Sequence, residues 1–166
     1  MQCRSSLFDG DGGGGGSNLP VFDIDDYDDT FEKLHLIMNN GVFGTLFCIQ
    51  HTVTGEVFTA KHVRTDLHSV RREAAILHKV RNEPSVIAFY ALYVAPSTSV
   101  IVTDFVVGGD LVERTARTDF VLNESKCKNY VRQICQGLQG GNSIEVNSRD
   151  MLLANLAVLQ YFGSCH

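Results

Sequence analysis

Hydrophobic and polar positions alternate in three short runs between residues 31 and 63. The runs read LHLIM, TLFCIQHT and EVFTAKHV, with Gly41 and Gly44 in the first turn and Thr54-Gly55 in the second. Apolar runs of this length, bounded by glycine turns, are typical of β-hairpins. The pattern predicts three antiparallel strands, and two later runs, VIAFYALYV and SVIVTDFVV, predict two more.

A helix is predicted between the third and fourth strands. Asp66 can cap its first turn. Val70, Ala74, Leu77 and Val80 then follow at i, i+4, i+7 and i+10, which places them on one helical face. This helix is expected to cover one side of the sheet.

A second helix is predicted after the last strand, in the run LNESKCKNYVRQICQGLQ. Asn123 can cap it, and Tyr130, Ile134 and Leu138 share one face. Gly140-Gly141 are expected to end it. The fold class is therefore α+β, with a five-stranded antiparallel sheet, one covering helix and the start of a helical region.

The two ends of the chain depart from this pattern. Residues 9–18 read DGDGGGGGSN, and ordering so many glycines is costly in conformational entropy. Residues 1–30 thus predict a disordered leader rich in Gly and Asp. Residues 1–32 carry one Arg and eight acids, a charge of −7, which leaves +2 of the total of −5 for the rest. Residues 142–166 predict a loop and two short apolar strands.

Composition excludes several functional classes. The 166 residues, 44% hydrophobic and 20% charged, suffice for one domain with a core. Lys and Arg are scattered, whereas a nucleic-acid binder needs a basic stripe, so no nucleic-acid partner is expected. No window has the ~18 apolar residues of a spanning helix, and no membrane partner is expected. Five cysteines without a CxxC spacing indicate a reduced, cytoplasmic protein.

The candidate chemistry begins at the glycine turn. Gly41 and Gly44 alone are a weak signal for a phosphate-binding loop, because glycine turns are common in hairpins. Lys61 follows on the third strand and Glu73 on the first helix. Either residue alone is more often solvated, but together they indicate a Lys held by a carboxylate and directed at a nucleotide.

This order of features resembles the protein kinases, in which a Gly-rich loop covers ATP, a strand Lys contacts its phosphates and a helix Glu orients the Lys. The pattern GxGxxGxV is read over residues 39–46, with Asn39 in place of the first glycine and Leu46 in place of the valine. The pattern VAIK is read as FTAK, with Thr59 in place of the alanine. The resemblance implies a set of ATP-binding residues in this first part of the chain: Gly41, Phe43, Gly44, Leu46, Lys61 and Glu73.

The stretch VTDFVVGGDLVER is similar to the segment that joins the two lobes of a kinase. The resemblance implies that Thr103 is the gatekeeper, that Asp104 to Val106 offer backbone groups to adenine, and that Asp110 lies near the ribose. Together with FVLNESKCKNYVRQICQGL, it is most similar to the calmodulin-kinase group, including the titin, obscurin and myosin light-chain kinases. An N-lobe over residues 31–107 and a partial C-lobe over residues 108–166 are implied.

The catalytic loop of these kinases can be matched in two registers. One takes Ser148-Arg149-Asp150 for the motif whose aspartate is the base, and Asn155 for the metal-binding asparagine. The other puts Glu145 in the place of the base and Asp150 in that of the asparagine, and it leaves the better hairpin after the loop. Both lack the histidine of the HRD motif and the lysine of the loop.

The sequence Tyr161-Phe162-Gly163 falls where the family has DFG. The DFG aspartate holds Mg²⁺ against the ATP phosphates. A phenol has a reference pKa near ~10, so at neutral pH Tyr161 is uncharged and is a poor Mg²⁺ ligand. ATP is therefore the expected cofactor, and Mg²⁺ binding is doubtful.

These features lead to three hypotheses. The first is a truncated pseudokinase that binds nucleotide and serves as a scaffold, with a protein partner on the exposed partial C-lobe. The second is an active serine/threonine kinase, either through Asp150 and Asn155 or as part of a longer chain. The third is a non-functional fragment. A cytoskeletal or sarcomeric location is implied by the resemblance alone.

Overall fold

The computed structural model describes residues 18–40, 44–64, 66–84, 86–106, 115–116 and 119–143. Within this part of the chain, one mixed sheet is flanked by helices. The strands are β1 (Val21–Asp23), β2 (Phe31–Asn40), β3 (Gly44–His51), β4 (Val57–Val63), β5 (Phe89–Val94) and β6 (Ser99–Asp104). The helices are α1 (Ile24–Thr30), α2 (Leu67–Val80) and α3 (Glu124–Ser143). The two strands predicted after residue 143 lie outside the described residues.

The sheet has the strand order β1-β5-β6-β4-β3-β2. Strands β2 to β6 pair antiparallel throughout, so the five predicted strands and the α+β fold class are confirmed. The sequence did not indicate β1, which pairs parallel with β5 and makes a sixth strand. The sheet therefore begins before the first predicted strand.

The expectation of a disordered leader through residue 30 does not hold for residues 18–30. They form β1 and α1, and the Asp23 carboxylate accepts a hydrogen bond of 3.1 Å from the Asp25 backbone N–H, which caps α1. Tyr27 is only 1% exposed. The acidic run hid this helix because its four Asp residues face away from the one aromatic side chain that packs against the sheet.

The sheet separates two hydrophobic clusters. We call the side that contains Val63, Leu92 and Ile101, and against which α2 packs, the inner face. We call the side that contains Phe58, Ala60 and Val102, and against which Tyr27 of α1 packs, the outer face. Side chains alternate between the two faces along β3, β4 and β6, as the pleat requires, whereas register shifts interrupt the pairing of β2 and β5.

Helix α2 forms as its pattern predicts. The Asp66 carboxylate accepts hydrogen bonds from the backbone N–H of Ser69 at 2.9 Å and from its hydroxyl at 2.7 Å. These bonds lower the pKa of Asp66. The four predicted face residues, Val70, Ala74, Leu77 and Val80, are all buried. The apolar stripe thus fixes α2 on the inner face.

Helix α3 also begins as predicted, since the Asn123 side chain accepts a hydrogen bond of 2.9 Å from the Lys126 N–H. The prediction that Gly140-Gly141 end the helix is wrong, because α3 continues to Ser143. Glycine disfavours a helix by only about 1 kcal/mol per residue and can adopt helical dihedral angles. Upstream of these glycines Tyr130 is buried, and Leu138 packs against the inner-face cluster.

On the outer face, the His62 ring lies between two aromatic rings. It packs edge-on against Tyr27 and Phe47, at centroid distances of 5.4 Å and 5.1 Å. The Tyr27 hydroxyl and His62 Nε2 are 3.2 Å apart. Burial, reinforced by the nearby Lys33 ammonium, lowers the pKa of His62 to about 4. His62 is therefore neutral in the folded protein at neutral pH.

This neutral histidine makes the stability of the fold depend on pH. The unfolded chain binds a proton at His62 near pH 6.5, whereas the folded chain does so only near pH 4, so acid favours unfolding between these values. We expect the free energy of unfolding to fall by about 1–2 kcal/mol from this group between pH 7 and pH 5. Urea unfolding at several pH values measures the slope.

The variants His62→Gln and His68→Gln make a matched pair for this experiment. His68 is exposed on α2, so its replacement should leave the slope unchanged. His62→Gln removes the buried titrating ring and should flatten the slope between pH 6.5 and 4. An unchanged slope in His62→Gln would show that the burial of His62 does not carry the effect.

Candidate functional site

The inner face carries an ion pair that is largely, but not fully, buried. Lys61 Nζ lies 2.6 Å from Glu73 Oε1, and the two side chains are only 14% and 15% exposed. Lys61 is on β4 and Glu73 on α2, so the pair joins the helix to the middle of the sheet. The sequence predicted both partners, and the structure brings them together. A charge-assisted hydrogen bond of this kind is worth about 1.5–3 kcal/mol.

The strand register shows which side chains share this face with Lys61. Leu46 of β3 and Ile101 of β6 lie directly opposite Lys61. Met38 of β2 lies opposite Leu46. Residues that are directly opposite in antiparallel strands point to the same side of a sheet. The predicted Leu46 is thus in place, and Met38 is an exposed member of the row that sequence reasoning missed.

A second row crosses the same face. Thr59, two residues before Lys61, lies opposite Cys48 on β3 and opposite the predicted Thr103 on β6. Thr103 is buried, with 9% of its surface exposed. The alternation of side chains along β4 could have identified Thr59 as an inner-face residue from the sequence. Cys48 could be identified only from the register of β3 against β4.

The turn of the hairpin between β2 and β3 lies next to the row that contains Leu46 and Lys61. Asn39 and Asn40 of β2 pair with Thr45 and Gly44 of β3. The Thr45 hydroxyl donates a hydrogen bond of 3.2 Å to the Asn39 side-chain oxygen. Asn39, which stands in place of a family glycine, is therefore a bonded strand residue. The predicted site residues Gly41 and Phe43 lie outside the described residues.

Gly44 has a structural reason to be glycine. Its φ is +101°, and a Cβ built on it would lie 2.5 Å from the backbone oxygen of His62. This close approach seats the hairpin on β4, next to Lys61. The glycine is thus required by strand packing in this protein, whether or not a phosphate lies above it.

The segment predicted to contact the adenine base begins at the end of β6. Asp104 is the last residue of that strand, and its N–H donates to the Ala88 carbonyl at 3.0 Å. The Asp104 N–H is therefore already bonded within the sheet. Val106 packs against the inner-face cluster.

Asp110, Glu145, Asp150, Asn155 and Tyr161 lie outside the described residues. In the part of the chain that is described, no group of three or more His, Cys, Asp or Glu side chains could hold a metal ion. The roles predicted for these five residues therefore stay predictions. Among the described helices, none is long and apolar enough to cross a membrane.

Comparison with known proteins places this geometry in a family. The family model described as "Protein kinase domain" matches residues 33–160. The chain is 26% identical to the serine/threonine-protein kinase SRK2F of Arabidopsis thaliana, over 71% of this chain and 34% of that protein. It is 28% identical to the smooth-muscle myosin light chain kinase of Gallus gallus, over 61% of this chain and 6% of that protein.

A solved structure supports the same fold. The structure titled "Titin kinase and its flanking domains" has a TM-score of 0.65 and 21% identity, over 75% of this chain and 23% of that one. This likeness bears on the fold alone. The chain spans about a third or less of the length of the relatives described here.

The ion pair gives a first prediction for this site. Glu73→Gln removes the negative partner and leaves the Lys61 ammonium poorly compensated in a mostly buried position. We expect the free energy of unfolding to fall by about 1.5–3 kcal/mol in chemical denaturation. Glu124→Gln is the control, because the Glu124–Lys128 pair is 2.7 Å long but 82% and 69% exposed. Its loss should cost less than about 0.5 kcal/mol, and equal losses in both variants would contradict the proposed difference in burial.

Gly44 gives a second prediction. Gly44→Ala forces a positive φ on alanine and drives its Cβ into the His62 carbonyl, so we expect a loss of more than about 2 kcal/mol of stability. Gly55→Ala is the matched variant, because Gly55 also has a positive φ, of 72°, but its nearest neighbour is 3.7 Å away. It should cost about 1 kcal/mol. Thermal unfolding of both variants measures the difference, and a Gly55→Ala variant as unstable as Gly44→Ala would show that the contact with His62 adds nothing.

Proposed function

The chain belongs to the protein kinase domain family, and from this premise we propose that its inner face binds ATP as a catalytically impaired, pseudokinase-like module. The observation that carries the proposal is the ion pair between Lys61 and Glu73. The carboxylate holds the ammonium at the inner face next to Leu46 of β3, the strand that begins at Gly44. An ammonium fixed in this way can bind the phosphates of a nucleotide.

The described residues fit a nucleotide at both ends. Lys61 supplies the positive charge at the phosphate end. Its ion pair with Glu73 holds the Lys61 side chain at that end. At the other end, the family resemblance implies that the backbone of Asp104 to Val106 contacts the adenine base. The side chains of Leu46 and Thr103 offer contact surface to the adenine ring. ATP is therefore the ligand that this face fits best.

The sequence supports impaired chemistry. A phenol, Tyr161, stands where the family places the carboxylate that holds Mg²⁺. Phosphoryl transfer depends almost entirely on positioning and on neutralising charge, which bound metal ions supply in kinases. A chain that retains Lys61 and Glu73 but lacks that carboxylate is expected to bind nucleotide without transferring phosphate efficiently.

As part of the same proposal, the module serves as a binding or scaffolding unit in the cytoplasm. Helix α3 presents Cys127, Val131 and Cys135 to solvent at intervals of one helical turn. An exposed strip of this kind favours a protein partner. The similarity to smooth-muscle myosin light chain kinase supports a cytoskeletal or sarcomeric setting.

A second candidate is an active serine/threonine kinase. It is favoured by the relative SRK2F, which is named a serine/threonine-protein kinase, and by Asp150 with Asn155 at the spacing of the catalytic loop. The chain would then be active through these two residues or as part of a longer active chain. The third hypothesis, a non-functional fragment, is disfavoured by two extensive buried clusters on a continuous sheet.

Thermal unfolding with ATP, in Mg²⁺ and in EDTA, distinguishes these functions. A ligand at 100 times its dissociation constant adds about 2.7 kcal/mol, which raises the midpoint of a domain of this size by several degrees. We expect similar rises in both buffers, because Lys61 rather than a metal holds the phosphates. Lys61→Met should abolish the rise.

Three other results would contradict parts of the proposal. A rise that requires Mg²⁺ would favour the active kinase. Transfer of labelled phosphate to a protein, lost in Lys61→Met, would establish it. A cooperative unfolding transition whose midpoint ATP does not change in either buffer would contradict nucleotide binding. Scaffolding would then be the only proposed role left.

A further inference from the structure

Helix α3 carries a strip of small apolar side chains that is exposed to solvent. Cys127 and Cys135 are exposed, and Val131 between them is 59% exposed. The three positions are four residues apart, so they follow one another along one side of the helix. We call them the α3 strip. The fold uses another side of the helix, on which Tyr130 and Gly137 are buried.

The two cysteines of the α3 strip are too far apart to bond to each other within one chain. Eight residues of an α-helix span ~12 Å. A disulfide requires Cα atoms within ~7 Å of each other. A contact between the Cys127 and Cys135 thiols therefore has to join two copies of the chain.

The α3 strip has the symmetry that such a contact requires. Cys127 precedes Val131 by four residues, and Cys135 follows it by four. In a two-fold symmetric interface, residue i of one copy meets residue j of the other, and j likewise meets i. If two α3 helices pack antiparallel with Val131 on the axis, each Cys127 meets Cys135 of the other copy, and the two Val131 side chains meet at the centre. Every position of the strip then meets an apolar position, because a free cysteine behaves as a small hydrophobic residue.

The charges near the α3 strip are compatible with this packing. Glu124 and Lys128 form an ion pair of 2.7 Å within one helix, so the two charges compensate each other on each copy. Antiparallel helices also place the positive N-terminal end of one helix dipole beside the negative C-terminal end of the other. Val121 and Leu122, which are 69% and 47% exposed, lie just before α3 and add apolar surface at its N-terminal end.

The size of the α3 strip limits the strength of the contact. A standard stable interface buries ~1,600 Å² in total. Three short side chains from each copy cover less than this, even with Val121 and Leu122 added. The association is therefore expected to be weak and to depend on concentration, which suits a scaffold that assembles where the chain accumulates.

We propose that the α3 strip is a self-association surface, at which two copies of this chain pack antiparallel about Val131. This inference rests on the proposed scaffolding role and identifies its protein partner as a second copy of the chain. The cysteines take part as reduced apolar side chains, and the contact itself needs no disulfide.

Disulfide trapping with diamide tests the geometry of this contact. The parent protein is the full chain with Cys3 and Cys165 replaced by Ser, and it keeps Cys48, which is only 2% exposed. Two thiols in contact lose two electrons and two protons to diamide, so that a disulfide forms and diamide becomes the corresponding hydrazine. The amount of covalent dimer is measured on a non-reducing gel.

The variants Cys127→Ser and Cys135→Ser, each made in the parent, give a distinctive pattern. We expect the parent to form the dimer and each variant alone to lose it, because the remaining cysteine then faces a serine of the other copy. A mixture of the two variants should regain the dimer, since Cys135 of the first variant meets Cys127 of the second.

A charge at the centre of the α3 strip provides a second test. Val131→Asp, made in the parent, places two like charges on the symmetry axis and should abolish trapping. Ser125→Asp is the matched control, because Ser125 is exposed on the same helix but lies about 120° around it from Val131. It should form the dimer as the parent does. Unfolding midpoints with and without ATP show that each protein folds and whether it binds nucleotide.

The results separate this proposal from nucleotide binding. A dimer in the parent and in the mixture, but in neither Cys→Ser variant alone, supports antiparallel packing about Val131. A dimer formed by each variant alone, as random collision or parallel packing gives, overturns it. The absence of a dimer in the parent, or equal trapping in a folded Val131→Asp variant, overturns it as well. In these cases a midpoint that rises with ATP leaves nucleotide binding standing, whereas a midpoint that ATP does not change contradicts nucleotide binding separately.

Discussion

The ion pair between Lys61 and Glu73 is the interaction on which the rest of the site depends. It is short, largely withdrawn from water, and made between a central strand and the helix that covers it. Lys61 on β4 and Glu73 on α2 meet because α2 is held on the sheet by its buried apolar stripe, and the Asp66 cap stabilises the start of this helix. The burial that stabilises the N-lobe therefore also fixes the charge that we propose binds phosphate.

Strand β4 is supported from its other side as well. The residue after Lys61, His62, has its backbone oxygen against Gly44 and its ring between Tyr27 and Phe47. Helix α1 thus contacts the strand that carries Lys61, but from the outer face. The acidic N-terminal segment is consequently part of the framework of the site, although it contributes no residue to the inner face.

The sequence predicted the local features and missed those that depend on tertiary contacts. The strands, the Asp66 and Asn123 caps and the pairing of Lys61 with Glu73 followed from short-range patterns or from the family resemblance. Helix α1 was missed because seven residues with four acids look solvated, and only the burial of Tyr27 explains their order. Likewise, Thr59, Cys48 and Thr103 share a row only through the register of three strands.

A fixed ammonium at the inner face is proposed to bind the phosphates of a nucleotide. Calorimetric titration of the full chain with adenosine, ADP and ATP, in EDTA, tests it most directly. We expect affinity to rise from adenosine to ADP to ATP, and we expect Lys61→Met to remove the gain from the phosphates while leaving adenosine binding unchanged. Equal affinities for adenosine and ATP, or an unchanged series in Lys61→Met, would contradict it.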